Sequence, residues 1–454
     1  FAKYFDFQNR LISSIVRRFA LKTLTMPEPI IDEMLANYFV GSDQHILSQK
    51  NAVKNAVLNN FTIISGGPGT GKTFIVSIIK KILLSYALQH DFEQPKILCA
   101  APTGKAASKM DNGRTIHSIL KPLKNRPGFH FNKNNLLQLD VMIIDEASMI
   151  DLSLLTRLLE AIPDKARVII LGDIYQLSSI QAGSVLSDIC SVKNLSSHIF
   201  FLEYNFRSRG KTGIEHFSKA INNNDYSSLE YVLTSGKYPD LAFVPIGEQG
   251  LPSGFIDKYV IKGFQPLLNA QTMEAALNEV DSFKILCAHN SGKYGTLQIN
   301  HVCEKILRSA HNFDIDKQPF KKIIMVKIND YKKGLFNGDT GICFSDKGDS
   351  KAFFKGFDNK IKQYQTSDLP DNDTAFAITI HKSQGSEFET VLIILPDMLS
   401  PVITRQLLYT GVTRAKEKVI IMGDLNIIKK AMGVSVKRNS GLTEYLDRVL
   451  QNAD

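Results

Sequence analysis

Residues 61–84 read FTIISGGPGTGKTFIVSIIKKILL, and the order of residue types across this stretch decides the fold. Residues 61–65 are an apolar run of strand length. Gly66-Gly67-Pro68-Gly69-Thr70-Gly71-Lys72-Thr73 then fits the spacing G-x-x-x-x-G-K-[ST]. Beyond it Phe74, Ile75, Ile78, Ile79, Ile82 and Leu83 share one helical face. In a strand–turn–helix setting the glycines let consecutive backbone N–H groups turn inward around phosphate oxygens. The helix that starts there adds its positive end. Lys72 is then placed to reach the β- and γ-phosphates of a nucleoside triphosphate, and Thr73 to hold Mg²⁺ through its hydroxyl.

The same texture continues outward. Residues 96–102 (KILCAAP), 141–145 (VMIID) and 166–173 (ARVIILGD) are further continuous apolar strands separated by helical stretches. That pattern predicts an α/β fold with a parallel sheet covered on both faces. A second set of strands is expected at 198–203, 284–289, 376–380, 390–396 and 418–424. Between 315 and 374 short β-like runs (IIMVKI, TGICF, KAFFKGF) are punctuated by Asn337-Gly338, Lys347-Gly348 and Asn372-Asp373, which reads as a small antiparallel insertion. Residues 1–40 read as a basic helical lead-in packed on the next domain, with Ile12, Ile15, Val16 and Phe19 at helical spacing. Residues 121–138 (KPLKNRPGFHFNKNNLLQ) read as an exposed loop or hairpin.

Composition bounds the function classes. A chain of 454 residues, 44% hydrophobic and 22% charged, has room for two to four globular domains and is neither disordered nor fibrous. Its apolar runs stop at strand length, so no membrane helix is expected. The opening FAKYFDFQNRL has no basic segment followed by an apolar run, so no signal peptide is expected and a cytoplasmic location is. Cys99, Cys190, Cys287, Cys303 and Cys343 form no C-x-x-C pair and read as free thiols. Lys and Arg number 54 against 45 Asp and Glu, a balance of +9 that suits a polyanionic partner such as nucleic acid.

Other residues carry chemistry with the phosphate loop. Asp145 ends an apolar strand and can reach a Mg²⁺ shell. Glu146 can polarise a water for attack on the γ-phosphate. Gln176, after Gly172-Asp173, can bond the γ-phosphate or that water. Arg207 and Arg414, in the second set of strands, are the arginines whose setting suits charge neutralisation on a transferring phosphoryl group.

Read in order, the motifs carry a resemblance. They are Gln49-Lys50-Asn51-Ala52-Val53, GGPGTGKT, Ala101-Pro102-Thr103-Gly104-Lys105, Thr115-Ile116-His117, Asp145-Glu146-Ala147-Ser148, Gly172-Asp173-x-x-Gln176-Leu177, Asn205-Phe206-Arg207, Thr379-Ile380-His381-Lys382-Ser383-Gln384-Gly385-Ser386-Glu387 and Tyr409-Thr410-Gly411-Val412-Thr413-Arg414. The set, covering roughly residues 41–425, resembles superfamily 1 DNA helicases of the RecD type, the alpha subunit of exodeoxyribonuclease V. Asn329-Asp330-Tyr331 with Leu335 to Gly341 resembles that family's SH3-like β insertion.

The resemblance implies a helical N-terminal region at 1–40 and a RecA-like domain at 41–195 with a pin insertion at about 113–140. It implies a second RecA-like domain at 196–316 and 375–454, and the SH3-like insertion at 317–374. ATP would lie between the two RecA-like domains and single-stranded DNA across both, with 5′→3′ movement along single-stranded or tailed duplex DNA. Gln49 would contact adenine, and Gly385 and Glu387 would lie near the nucleotide. Gln176 would sense the γ-phosphate, and Arg207 and Arg414 would be arginine fingers. Thr103, His117, Thr379, His381 and Ser383 would face DNA, and loop 121–138 would be the strand-splitting pin. RecB-like and RecC-like chains are the partners implied. The family pattern is broken at Ser178, where Pro is usual, and at Ser208, where Gln is usual. The alternatives are a stand-alone RecD-like helicase, or an ATP-binding DNA scaffold with little motor activity. No carboxylate cluster beyond Asp145-Glu146 suggests a nuclease in this chain.

Overall fold

The computed structural model describes residues 2–21, 26–124, 126–179, 184–207, 212–246, 253–311, 320–330, 332–346, 349–356, 360–434 and 441–451. Ser208 and the expected insertion boundary at 316/317 lie outside them. Two compact units are present: Phe1–Gly210 with Lys437–Asp454, and Lys211–Val436.

The first unit is built on a parallel sheet. Its strands are β1 (Phe61–Gly66), β2 (Ile97–Ala101), β3 (Arg114–Thr115), β4 (Val141–Ile144), β5 (Arg167–Gly172) and β6 (Ile199–Leu202), in the order β3-β2-β4-β5-β1-β6. Every residue of β1 and β4 is buried, as expected for strands covered on both faces. The helices Gln44–Leu58 and Lys72–Gln89 share one core with Ile64, Ile143 and Ile169. Ile75, Ile78, Ile79, Ile82 and Leu83 lie inside it as the spacing predicts. Phe74 does not; it is 46% exposed and meets Phe39 edge-on.

The opposite face carries the N-terminal helix Ala2–Ala20 and the helix Leu152–Ala161. Leu11, Ile12 and Ile15 are buried as expected for a packed lead-in. Arg18, in the same basic helix, is fully buried. Its guanidinium donates to Leu159 O (2.8 Å), which also accepts from Ile162 N (3.3 Å), and to Ile162 O (2.7 Å) just past the C-terminus of the Leu152–Ala161 helix, where carbonyls lack intrahelical donors. Burial lowers its pKa to about 10, so it keeps its charge near neutrality.

Two boundaries differ from expectation. Strand β6 pairs in parallel with β1 (Ile63↔Ile199 to Gly66↔Leu202), so it closes the first sheet instead of opening the second. The C-terminal helix Leu442–Gln451, expected in the second domain, belongs to the first unit. Leu442, Leu446 and Leu450 enter the core of Ile189 and Leu195, and Asn194 donates to Asp447 Oδ1 (2.8 Å).

The second unit contains two sheets. Strands β7 (Leu241–Pro245), β8 (Phe283–Cys287), β14 (Ala377–Thr379), β15 (Phe388–Ile394) and β16 (Ala415–Gly423) form a parallel sheet in the order β14-β8-β15-β16-β7. Between β8 and β14 the chain inserts the antiparallel strands β9 (Lys322–Val326), β10 (Thr340–Asp346), β11 (Asp349–Lys355), β12 (Ile361–Gln365) and β13 (Asn372–Thr374), in the order β12-β11-β10-β9-β13. Ile324, Val326, Leu335, Ala352 and Phe354 give this insertion its own core. The five cysteines are free, and burial pushes the Cys190 and Cys303 thiols up to about 12. Among the described residues no helix is long and apolar enough to cross a membrane.

Candidate active site

The phosphate loop leaves β1 at Gly66 and enters the helix at Lys72. Gly69 (φ +80°) and Gly71 (φ +89°) occupy the left-handed region that favours glycine. The space a side chain would take at each is filled by the end of a neighbouring side chain. A Cβ on Gly69 would lie 2.4 Å from Asn205 Oδ1, and one on Gly71 2.4 Å from Gln49 Nε2. The loop is therefore walled by Gln49 on one side and by residues 205–207 on the other. Gln49 Nε2 donates to Thr70 O (2.9 Å) and Phe206 N to Gly69 O (2.9 Å). Lys72 Nζ donates to Gly66 O and to Gly67 O (2.9 Å).

This cradle fits an anion. Gly71 provides no side-chain cap, so the first N–H groups of an 18-residue helix have no side-chain acceptor. The exposed Thr73 hydroxyl and the half-buried Asp145 carboxylate are hard oxygen donors of the kind Mg²⁺ takes alongside substrate phosphates.

Asp145 follows β4, and its Oδ1 accepts from Glu146 N (2.8 Å). Glu146 sits at φ +52°, ψ 39°, a left-handed conformation costing a non-glycine residue about 1–2 kcal/mol. The Asp145 bond and the turn Ala147–Met149 hold it there; strain of this kind concentrates at functional sites. Asp173, beyond β5, accepts from Tyr175 N (3.0 Å) and from Gln176 Nε2 (3.0 Å). That fixes the amide of buried Gln176 so that Oε1, which has no partner among the described residues, stays an available acceptor.

Arg207 is exposed in the first unit, its Cβ 3.2 Å from where a Gly69 side chain would begin. Arg414, in the second unit, is 2% exposed; Nε donates to Thr410 O (3.2 Å) and Nη1 to Ser386 O (3.2 Å), and Nη2 has no partner among the described residues. Gly385 (φ +73°) and half-buried Glu387 flank Ser386 in that same unit.

The residues expected to face DNA divide. Thr103 Oγ1 accepts from Ala106 N (3.2 Å), capping the short helix Gly104–Ala107. His117 is exposed, and its ring meets that of Phe129 edge-on at 5.8 Å. Thr379 and Lys382 line a cavity of about 360 Å³ in the second unit with Asn290 and Asn300. His381 is half-buried, and burial holds its pKa below the usual imidazole value, as it does for His117. Ser383 is fully buried, and its hydroxyl donates to Ile380 O (2.7 Å) within the turn.

Sequence reading missed an aromatic platform beside the loop. His45 stacks on Tyr204 (4.1 Å, 15°), and the 39%-exposed Phe206 meets both edge-on. The signal was the pair of aromatics around Asn205, which is informative only once that segment is known to lie on Gly69.

Two family models match the chain: an AAA domain over residues 49–182 and a UvrD-like helicase C-terminal domain over residues 374–422. The RecBCD enzyme subunit RecD of Haemophilus influenzae is 29% identical, with 94% of this chain and 76% of that protein covered. The RecBCD enzyme subunit RecD of Mycobacterium tuberculosis is 31% identical, covering 87% of this chain and 72% of that protein. The ATP-dependent RecD2 DNA helicase of Deinococcus radiodurans is 25% identical over 86% of this chain and 50% of its own length. With nearly a third of positions shared over most of both chains, and the phosphate loop, acidic pair and Gln176 in register on a parallel sheet, this chain belongs to the RecD family.

Proposed function

We propose that this chain is an ATP-dependent 5′→3′ DNA helicase, the RecD-like alpha subunit of an exodeoxyribonuclease V-type assembly in double-strand break repair and recombination, working in the cytoplasm with RecB-like and RecC-like chains. The observation that carries the reading is the walled phosphate loop, where Gln49, Lys72 and the Asn205–Arg207 segment converge on Gly69 and Gly71.

Binding is a substitution of partners. Phosphate oxygens replace the Gly66 and Gly67 carbonyls at Lys72 Nζ and take up the uncapped N–H groups of the helix. Gln49 and the Phe206 face receive the base. Mg²⁺, held by Thr73 and Asp145, would neutralise charge between the terminal phosphates. Glu146 takes a proton from the attacking water, and Gln176 Oε1 orients it. Arg207 and Arg414 offset the charge that develops on the transferring group, with Arg414 Nη2 the free donor. Hydrolysis removes the anion these groups share, so the affinities of Lys72 and the arginines change with the nucleotide state. If grip on single-stranded DNA alternates with that state, each turnover advances the strand; backbone contacts dominate such grip and make it sequence-tolerant and salt-sensitive.

A second reading is a stand-alone RecD-like helicase; the similar Deinococcus radiodurans protein is named an ATP-dependent DNA helicase. A scaffold role with little motor activity accounts less well for an intact set of hydrolysis residues. A strand-displacement assay on 5′- and 3′-tailed duplexes, with and without partner subunits, tests all three. Unwinding confined to 5′ tails is expected, and preference for 3′ tails would assign the opposite polarity.

A further inference from the structure

At the start of the 121–138 segment, residues 120–124 and 126–131 pair as a short hairpin. His130 N donates to Lys121 O (2.9 Å), Phe131 N to Leu120 O (3.1 Å) and Leu123 N to Gly128 O (3.1 Å), while Lys124, Arg126 and Pro127 are exposed at the tip. So few ladder bonds make an isolated hairpin marginal, and any load on the tip must be resisted at the base. At the base Phe129 packs against the core, and two cations flank Phe7: Arg10, its guanidinium carbon 5.0 Å from the ring centroid, and Arg157. Arg157, half-buried on the Leu152–Ala161 helix, has its guanidinium carbon 5.6 Å from the Phe129 ring centroid and 5.4 Å from that of Phe7. Phe7 is 7% exposed on the N-terminal helix. That helix is strapped to Arg157's own helix by Arg10 on Glu160 (2.8 Å) and by Arg18 on Leu159 and Ile162. Phe129 in turn meets the His117 ring. One run, Phe7–Arg157–Phe129–His117, thus links the N-terminal helix, the hairpin base and a residue expected to face DNA.

We infer that Arg157 is a positioning residue for strand separation: by sharing its cation between Phe7 and Phe129 it clamps the hairpin base to the N-terminal helix, so that the tip meets the duplex junction as a rigid wedge. A planar guanidinium suits this place because it can face two rings at once, which an ammonium does poorly. The inference rests on the helicase reading and deepens it.

The test uses the full chain with Arg157→Ala, Arg157→Met (stem kept, charge removed) and Arg157→Lys, beside a tip variant combining Lys124→Gly, Arg126→Gly and Pro127→Gly. Three quantities are read: thermal melting, ATP turnover stimulated by single-stranded DNA, and unwinding of a 5′-tailed duplex. In the Ala and Met variants turnover is expected to stay within about twofold of the parent while unwinding falls about tenfold, with part of it recovered by Lys; the Met variant keeps the stem and so isolates the cation–ring contact. Unwinding that falls only in proportion to turnover would overturn the inference, as would Met or Ala unwinding like the parent while the tip variant fails. A tip variant that unwinds normally would overturn the wedge reading itself, and the clamp with it; absence of turnover in the parent chain would instead strike the helicase reading.

Discussion

Lys72 shows how much a single position can reveal before any coordinate is known. Its role depends on neighbours in sequence, since the glycines, the following threonine and the helix start all lie within one turn of it. Replacing it with Gln is expected to abolish DNA-stimulated ATP turnover and leave circular dichroism and melting close to the parent, because the amide keeps a donor but no charge for phosphate; undiminished turnover would reject the assigned site. Arg414 and Ser383 stand at the other extreme. Both lie within legible motifs, yet whether a side chain points outward or is consumed by Ile380 O, Thr410 O or Ser386 O depends on local backbone geometry that no spacing reports. Arg18 carries the same lesson: its burial follows from the Leu159 and Ile162 carbonyls it meets, which helical spacing does not report.

Element types follow from periodicity, and the parallel strands were readable because continuous apolar runs of four to seven residues leave few other choices. Membership was not. The 198–203 run could have joined either parallel sheet, and only pairing of Ile63 with Ile199 assigns it to the first. The C-terminal helix has the same ambiguity, since an amphipathic stripe states that a face is buried and not against what. Leu446, fully buried in the core of the first unit, tests the assignment. Leu446→Ala is expected to cost that unit about 2–4 kcal/mol, read as lost hydrogen-exchange protection around residues 185–198 with the second unit's parallel sheet unchanged. Protection lost at β15 and β16 instead would place the helix elsewhere.

Over the whole molecule, stability should carry a signature of partly desolvated imidazoles. His117, His198 and His381 all have pKa values held below the ordinary 6.5 by desolvation. The unfolded chain therefore binds protons first as pH falls, so stability is complete above about 6.5 and declines toward the depressed folded values. A lower urea midpoint at pH 5.5 than at 7.5 is expected, and a flat profile would mean that these rings are solvated. The second unit is inserted into the first, the chain leaving at residue 210 and returning at 437. A linear reading that ends one domain where the next begins does not represent that return.

The sequence by itself determined the chemistry and the class of fold: a phosphate loop between a strand and a helix, an acidic pair at a strand end, two runs of parallel strands and an antiparallel insertion. Each is local, because hydrogen-bond geometry and side-chain periodicity act over a few residues. Tertiary structure alone decided which sheet owns β6, where the last helix docks, that Asn205–Arg207 lies on Gly69, and that Arg157 is held between Phe7 and Phe129. Those contacts join residues far apart in the chain, and they are selected by complementary packing of whole surfaces, a property no short window of sequence contains.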